Sequence, residues 1–252
     1  MKKFLALILA ALMICCTLSF VGCQEKSDKL LIGVTVYEPM NYLDDNGDWT
    51  GFDTEFALAV AEKLGTEVEF KEIDWGKKFV LLDSNQIDCI WNGMTITEEA
   101  KTNALISTPY AMNKQVVVMA KDMLEQYPDI ESMKDLKFVA EAGSAGETAI
   151  KDNGLDANYI EAKTQAAALT AVAAKQADAC VIDITMADAS TAEGTSYSDY
   201  GYTVKLTDEE YGIAFRLDDT ELQTKVNEAI AELVEDGTLE ALSEKYDVIL
   251  AF

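Results

Sequence analysis

The sequence contains no histidine. Without an imidazole the chain cannot form a Ser-His or Cys-His catalytic pair, and it lacks the commonest side-chain ligand of zinc and copper. Enzyme classes that depend on these groups are therefore disfavoured. We predict a protein that is not an enzyme, with no catalytic residue, no metal site and no cofactor.

Cysteine is scarce in the body of the chain. Three of the five cysteines lie within the first 23 residues, which leaves Cys89 and Cys180 for the folded domain. Each lies in an apolar run typical of a strand, so each is predicted to be a small core residue.

Basic residues are few, with 20 lysines and arginines against 45 acids and a formal net charge of −25. Binding to nucleic-acid phosphates requires a basic surface, so the sequence disfavours nucleic acid as a partner. The acidity is typical of a charged surface that favours solubility.

The N-terminal stretch has the plan of an export signal. Two lysines precede an apolar run from Phe4 to Ile14, and small residues precede Cys23. A transmembrane anchor is the alternative, because the apolar stretch approaches the roughly 20 residues that span a bilayer. We predict a signal peptide over residues 1–22. Its removal takes away two lysines and no acid, which makes the formal charge −27.

The end of this segment, FVGC, resembles the lipobox of bacterial lipoproteins, in which the cysteine is lipidated and becomes the new N-terminus. Phe20 stands where Leu is usual. The resemblance implies lipid attachment at Cys23 and an extracytoplasmic protein anchored to the cell membrane. Residues 23–29 are polar and are predicted to be a tether.

Apolar, β-branched runs alternate with helical patterns along the rest of the chain. Strands are predicted at 30–36, 67–73 and 177–183, helices at 53–64, 77–84 and 164–176, and a strand, Gly-rich turn and helix within 135–150. This alternation predicts an α/β fold with two lobes and largely parallel sheets. Such sheets bind ligands at the carboxyl ends of their strands.

The first predicted strand end that carries polar groups lies in IDCIWNGMTITEEAK, at Asn92-Gly93-Met94-Thr95. A glycine lets a backbone carbonyl approach a ligand closely, and the Thr95 hydroxyl can both donate and accept. Thr97, by contrast, is predicted to cap the helix that follows.

Two further strand ends each leave two interpretations open. Ser144, in EAGSAGE, either caps a helix or marks free N–H groups that hold an anion. Asp183, after an apolar run, either caps the next helix or offers its carboxylate to the ammonium of a small ligand.

An ordered set of segments resembles the solute-binding proteins of polar amino-acid ABC transporters, family 3, over nearly all of residues 30–250. They are PMNYLDDNGDWTGFDTEFALAVAEKLG, IDCIWNGMTIT, EAGSAGE, ADACVID and EEYGIAFRLDDTELQTKVNEAIAELVEDGTLEAL. The resemblance implies a two-lobed, type II periplasmic-binding-protein-like α/β fold, with two hinge strands and a ligand cleft that closes between the lobes. Lobe 1 would comprise 30–113 and 213–252, and lobe 2 would comprise 114–212.

The resemblance also implies roles for four strand-end residues. Gly93 would offer its carbonyl and Thr95 its hydroxyl to the ligand's α-ammonium. Asp183 would pair with the same ammonium from the other lobe. Ser144 and the neighbouring N–H groups would receive the α-carboxylate.

Other candidate ligand-binding residues come from the same resemblance. Tyr37 and Trp75 match positions that pack aromatic rings against the ligand's side chain, and Asn92 belongs to the first strand end. Glu141 falls near a ligand-contacting position and adds negative charge. Trp91 and Trp75 could form a ring wall, although an aromatic beside a strand end is more often core.

One position departs from the family pattern. Most members have Arg in T-I-T-x-x-R, where it grips the α-carboxylate, but this chain reads TITEEA and has Ala100. Loss of such a charged partner weakens binding by about 1.5–3 kcal/mol. Lys101 and Lys114 are the candidate compensating cations. We expect a ligand with a cationic group, whose carboxylate is either held by the second lobe or absent.

These observations favour an extracytoplasmic, lipid-anchored component of an ABC importer that captures an amino acid or related small amine for a membrane permease, as a monomer. One alternative is a nutrient-sensing module for a separate membrane partner. The other is a dehydratase-like enzyme on the same fold, in which a cleft carboxylate such as Glu141 or Asp183 performs acid–base chemistry.

Overall fold

A computed structural model describes residues 29–252. The predicted signal peptide over 1–22, the lipid site at Cys23 and most of the tether lie outside the described residues. Within 29–252, no helix combines the length and apolar character that crossing a bilayer requires.

The first lobe is built on a five-stranded sheet with the order β4-β1-β5-β14-β6. Its strands are β1 (Lys29–Val34), β4 (Glu67–Glu72), β5 (Cys89–Ile90), β6 (Leu105–Ile106) and β14 (Ala214–Phe215). β1 is parallel to β4 and β5, whereas β14 is antiparallel to its neighbours. A small hairpin of β2 (Tyr42–Leu43) and β3 (Trp49–Thr50) precedes the first helix. The helices are α1 (Phe52–Leu64), α2 (Lys78–Asp83), α3 (Glu98–Asn103), α7 (Thr220–Glu235) and α8 (Thr238–Tyr246).

The second lobe has its own five-stranded sheet, with the order β10-β9-β11-β8-β12. Its strands are β8 (Gln115–Ala120), β9 (Phe138–Glu141), β10 (Ile160–Ala162), β11 (Ala179–Asp183) and β12 (Tyr200–Lys205). β9 is parallel to β10 and β11, whereas β8 is antiparallel to β11 and β12. The helices are α4 (Ala145–Asp152), α5 (Gln165–Ala173) and α6 (Ile184–Thr191).

Two antiparallel strands connect the lobes, β7 (Ala111–Asn113) and β13 (Glu209–Tyr211). The chain passes from the first sheet to the second through β7 and returns through β13. The two-lobed α/β fold with two hinge strands is therefore confirmed. The lobe boundaries at 113/114 and 212/213 stay predictions.

Local sequence explains where the first long helix begins and ends. Phe52, Phe56 and Val60 recur every four residues in α1 and are fully buried, so one face of the helix packs on the sheet. Gly65 ends α1 in the left-handed conformation, with φ 66°, and its N–H donates to the last turn. The predicted helix over 53–64 is confirmed to within one residue.

The cysteines and one tryptophan of the strand runs belong to the core. Cys89 and Cys180 are free thiols with no exposed surface, as predicted. Trp91 is also fully buried and meets Phe56 edge to face, with the ring centroids 4.9 Å apart. Trp91 is therefore a core residue and does not form a ligand wall.

Candidate functional site

A cleft between the lobes collects the strand ends that the sequence singled out. Its walls include seven of the eight predicted ligand-binding residues: Trp75, Asn92, Gly93, Thr95, Glu141, Ser144 and Asp183. The first four lie on the first lobe, where Trp75 follows β4 and the others follow β5, and the other three lie at or just after the ends of β9 and β11 in the second lobe. The eighth, Tyr37, lies elsewhere.

Tyr37 lies behind the cleft wall, where it supports Gly93. Its hydroxyl is 2.7 Å from the hydroxyl of Tyr211, and both side chains are buried. Gly93 has φ 54°, and a Cβ atom added there would lie 2.6 Å from the Tyr37 ring. Both the backbone conformation and the close ring therefore require glycine at this position.

The turn at Gly93 is also held by a buried acid, Asp53, which lies on the side away from the cleft. Asp53 has no exposed surface, and its Oδ2 accepts hydrogen bonds from Gly93 N at 2.6 Å and from the Tyr110 hydroxyl at 2.9 Å. Burial raises the pKa of Asp53 to about 7. Asp53 acts on the site through the Gly93 backbone, and it is not among the residues that line the cleft.

The amide of Asn92 is used within the first lobe. Its Oδ1 accepts from Thr35 N at 2.9 Å, and its Nδ2 donates to the Thr35 hydroxyl at 2.8 Å. These two bonds tie the end of β5 to the end of β1. Asn92 therefore positions the strand end that carries Gly93 and Thr95.

The carboxylate of Asp183 is held by amide side chains. Its Oδ1 accepts from Asn113 and Gln115, each at 2.5 Å, and its Oδ2 accepts from Gln165. Although Asp183 occupies the residue before α6, it makes no capping bond there, so the capping interpretation is wrong. An ionised carboxylate has about four acceptor positions, which leaves capacity for a ligand's ammonium.

A second acid shares the amides that hold Asp183. Oε2 of Glu209, on the hinge strand β13, accepts from the Thr95 hydroxyl, from Asn113 and from Gln115, each at 3.0 Å. Burial, followed by the negative charge of Glu209, raises the pKa of Asp183 to about 7. A cation placed beside Asp183 would favour its ionised form and lower that pKa.

Ser144 caps α4, as one of its two interpretations predicted. Its hydroxyl accepts from Glu147 N at 3.1 Å, and the Glu147 carboxylate accepts from Gly143 N at 2.6 Å. The N–H groups of Ala145 and Gly146, in the first turn, have no acceptor among the described residues. Both residues line the cleft, so the capping and anion-binding interpretations are compatible.

Glu141, at the end of β9, is a buried acid with an unpaired oxygen. It is 4% exposed, and its Oε1 has no hydrogen-bond partner within the described residues. Burial, followed by the charge of Asp183, raises its pKa to about 8, while nearby Lys78 opposes this rise. At neutral pH Glu141 is therefore mainly a neutral carboxyl group that can donate a hydrogen bond.

The two lysines considered as compensating cations make other contacts. Lys101 pairs with Glu98 at 2.8 Å, and Lys114 pairs with Asp208; neither lines the cleft. Ala100 does line it and is 1% exposed. The basic side chain that lines the cleft is Lys78, which the sequence reasoning passed over.

Two amide side chains of the cleft were also missed, Gln115 and Gln165. Gln115 begins the buried strand QVVVMA, and Gln165 follows Thr164, the capping residue of α5. A lone buried polar residue at the start of an apolar strand was a usable signal for Gln115. No local pattern indicated Gln165.

Trp75 combines a core position with a place on the cleft. It is 7% exposed, and it belongs to a short 3-10 turn that leads into α2. Nζ of Lys78 lies 4.8 Å from the centroid of its ring. The ring therefore stabilises a cation at the cleft wall.

Comparison with known proteins places this geometry in a family. The family described as bacterial extracellular solute-binding proteins, family 3, matches residues 30–248. The arginine-binding extracellular protein ArtP of Bacillus subtilis (strain 168) is 30% identical, over 98% of each chain. The L-cystine-binding protein TcyJ of Escherichia coli (strain K12) is 31% identical, over 86% of this chain and 82% of TcyJ.

Solved structures with the same fold include an ancestral arginine-binding protein bound to arginine. It is 32% identical, with a TM-score of 0.80, over 87% of this chain and 98% of that one. An ABC uptake transporter substrate-binding protein from Streptococcus pneumoniae with bound histidine is 31% identical, also with a TM-score of 0.80, over 87% of this chain and 92% of that one.

These relatives are binding proteins and not enzymes, and the structural neighbours have the type II periplasmic-binding-protein fold. The two lobes, the two hinge strands and the strand ends collected in the cleft are consistent with the match over residues 30–248. The chain belongs to the bacterial extracellular solute-binding proteins, family 3, and is a solute-binding protein of the amino-acid ABC transporter type.

Proposed function

We propose that this protein captures an amino acid or a closely related small amine between its lobes, closes on it about the hinge strands, and delivers it to an ABC permease. The observation that supports the proposal is that one cleft contains groups of opposite charge, which match the two charges of an amino acid. Asp183 offers negative charge, and the free N–H groups of Ala145 and Gly146 offer partial positive charge at the start of α4. A zwitterion presents the matching pair of groups.

The ammonium of the ligand is assigned to Asp183, the carbonyl of Gly93 and the hydroxyl of Thr95. Asp183 comes from the second lobe and the other two from the first. A ligand that bonds both sides stabilises the closed arrangement, because only that arrangement brings the two sets of groups together. The carboxylate is assigned to Ser144 and the N–H groups beside it.

Aromatic rings complete the proposed site. Trp75 lines the cleft and can contact the ligand's side chain directly. Tyr37 contributes from behind, through its contact with Gly93. The relatives named above bind arginine, cystine or histidine, so the family accommodates side chains of different shape and charge.

Localisation is part of the proposal. Residues 1–22 would be removed as a lipoprotein signal peptide, and Cys23 would carry the lipid that anchors the protein outside the cell membrane. Expression of the full chain with Cys23→Ala should release the protein from the membrane fraction. Retention of the variant in that fraction would contradict lipid anchoring.

Thermal melting tests the binding function. The full chain is expressed, and the product is purified from membranes in mild detergent, freed of bound ligand with denaturant and refolded. A ligand that binds only the folded state raises the midpoint, with about 2.7 kcal/mol of stabilisation at a hundred times the dissociation constant. An α-amino acid or small amine should give this shift, and no shift across a full panel would contradict the proposal.

A matched pair of variants tests the role of Asp183. Asp183→Asn should weaken binding of that ligand roughly ten- to a hundredfold, because a hydrogen bond to a charged group contributes about 1.5–3 kcal/mol. Glu161→Gln removes an acid from the exposed surface of the same lobe and should leave affinity unchanged. Equal affinities for Asp183→Asn and the unchanged protein would contradict the assignment of the ligand's ammonium to Asp183.

A further inference from the structure

The charges along the cleft are unequal in number. Its acidic lining residues are Glu99, Glu141 and Asp183, whereas Lys78 is the basic residue of the lining in the part of the chain that the structure describes. A ligand carboxylate that enters this cleft therefore has one full positive charge available to it. The position of Lys78 decides whether that charge can reach the ligand.

Lys78 is the first residue of α2, yet its side chain is buried at the boundary of the lobes. The residue is 7% exposed, and its Nζ lies 2.8 Å from the carbonyl oxygen of Gly143, on the second lobe. A second carbonyl, that of Trp75, is 3.4 Å away. The ammonium thus reaches across the cleft from the first lobe to the turn that precedes α4.

The surroundings of this ammonium act on its charge in both directions. Nζ lies 4.8 Å from the centroid of the Trp75 ring and 4.9 Å from that of Phe79, within the range of a cation–π contact. Burial lowers the pKa of Lys78, and the negative charge of Glu99, together with that of Glu141 when it is ionised, opposes part of this fall. Among the groups facing Lys78, Glu147 also favours the charged form.

The same surroundings place Lys78 where a carboxylate is expected. Gly143, its main partner, directly precedes Ser144 and the free N–H groups of Ala145 and Gly146. Glu99 precedes Ala100, which lines the cleft from α3. An ammonium has three N–H donors, and the two carbonyls use two of them, one at the long distance of 3.4 Å. At least one donor remains for a ligand.

We propose that Lys78 supplies the positive charge that binds the ligand's carboxylate, acting together with the N-terminus of α4. The assignment rests on the proposed function and sharpens it. The ligand class is an α-amino acid, because its carboxylate can accept from the Lys78 donor that the two carbonyls leave unused, whereas a plain amine offers no such acceptor. Lys78 is then a specificity-determining residue, which makes up for the missing Arg at position 100.

A purely mechanical role is the competing account. In it Lys78 holds the lobes together through the Gly143 carbonyl and contributes equally to every ligand. The two accounts differ in one measurable quantity, which is the preference for an amino acid over the amine that lacks only its carboxylate. A carboxylate partner sets that preference, whereas an interlobe tether does not.

The experiment measures dissociation constants by calorimetry for three matched pairs: L-arginine and agmatine, L-histidine and histamine, and L-cystine and cystamine. The protein is the purified product of the full chain. The unchanged protein should bind at least one of the amino acids more than tenfold more tightly than its matched amine. Lys78→Met and Lys78→Gln should each reduce that preference at least tenfold, by weakening the amino acid and leaving the amine unchanged.

Two controls make the result specific. Lys78→Arg keeps the charge and should keep most of the preference. Lys77→Met removes the neighbouring lysine, which is exposed and pairs with Asp74 at 2.8 Å, and should change nothing. Melting curves without ligand establish that each variant is folded. Lys78→Gln keeps an N–H donor, so it separates the loss of charge from the loss of the hydrogen bond to Gly143 that Lys78→Met also causes.

Each other outcome overturns a specific statement. If both members of a pair weaken equally in Lys78→Gln and Lys78→Met, the tether account holds and the assignment fails, while the proposed function stands. If the unchanged protein prefers the amine, the carboxylate assignment fails in the same way. If the unchanged protein binds none of the six compounds, nor any other amino acid or small amine, the proposed function itself fails.

Discussion

The two lobes present different chemistry to the same cleft. The first lobe keeps one acid behind the wall, where Oδ2 of Asp53 accepts from the Gly93 backbone and from Tyr110, and it brings Glu99 to the cleft. The second lobe brings its acids, Glu141 and Asp183, to the cleft surface. The first lobe therefore contributes shape, backbone groups, Lys78 and Glu99, and the second contributes two buried acids, one of which has an oxygen without a hydrogen-bond partner in the described residues.

This division of groups between the lobes explains how one fold can serve different ligands. A rigid wall built from backbone groups recognises features that all amino acids share. Charged side chains, by contrast, can be exchanged without rebuilding the wall, and the proposed role of Lys78 beside Ala100 would be one such exchange. Four sets of measurements separate the contributions of the two lobes.

The largest expected effect breaks the shape of the first lobe. Gly93→Ala places a methyl group 2.6 Å from the Tyr37 ring and 3.3 Å from the Tyr211 ring, at a φ of 54°. Left-handed strain and overpacking together should lower the free energy of unfolding by about 2–4 kcal/mol. Urea denaturation measures the loss.

Gly154→Ala is the matched control for that substitution. Its φ is also positive, at 66°, but an added Cβ meets nothing within 4 Å. It should lose only about 1 kcal/mol, from backbone strain alone. Similar losses in the two variants would show that the Tyr37 contact is unimportant.

The next effect is the pH dependence of the free energy of unfolding, to which buried acids of both lobes contribute. The folded-state pKa values of Asp53 and Asp183 are raised to about 7 and that of Glu141 to about 8, whereas unfolded acids titrate near 4. The folded state then binds more protons, so this stability is present below about pH 4 and is lost as pH rises through about 7–8. Ligand-free protein should unfold more easily at pH 8 than at pH 5.

Single variants divide this pH effect between the lobes. Asp53→Asn and Asp183→Asn should each remove about 1–3 kcal/mol of the stability difference between pH 5 and pH 8. Chemical denaturation at the two pH values measures it. A difference that neither variant reduces would show that other groups, such as the surface acids, are responsible.

A third effect concerns binding and belongs to the second lobe alone. If an ammonium pairs with Asp183, binding requires the ionised carboxylate, so affinity should fall by up to about tenfold per pH unit below pH 7. Calorimetry in two buffers of different ionisation enthalpy should show proton release on binding near pH 6. Asp183→Asn should abolish that release, and its persistence would point to another group.

The smallest effect compares the two capping residues. Thr97 caps α3 in the first lobe, with its hydroxyl 3.0 Å from Ala100 N, and Ser144 caps α4 in the second. Thr97→Ala and Ser144→Ala should each lower the free energy of unfolding by about 1 kcal/mol. Both residues line the cleft, but only Ser144 is assigned to the ligand's carboxylate, so Ser144→Ala should weaken ligand binding more than Thr97→Ala. Equal binding losses would contradict the carboxylate assignment at α4.

Much of the fold could be predicted from sequence because its signals are local. Alternating strand and helix patterns, the Gly65 helix end and the Thr97 cap each depend on residues within a few positions of one another. The strand ends followed from these patterns, because parallel strands place their carboxyl ends at one edge of a sheet. Seven predicted residues accordingly lie in one cleft.

The remaining parts of the site depend on distant contacts. Asp183 is held by Asn113 and Gln115, which are 70 and 68 positions away. Whether Lys78 faces solvent or the cleft depends on how a short turn packs against the other lobe, while its neighbour Lys77 is exposed. Periodicity does not distinguish two adjacent lysines at the start of a six-residue helix.

The amides shared between Asp183 and Glu209 lie directly beside the pivot. Asn113 ends one strand of the hinge, Gln115 begins the strand that continues it, and Glu209 begins the other. If a bound cation shifts Asp183, the shared amides transmit that shift to both hinge strands. If the lobes turn about these strands, a small rotation at the hinge moves the far edges of the lobes by a larger distance, so one charge near the axis would alter the surface that the proposed permease contacts.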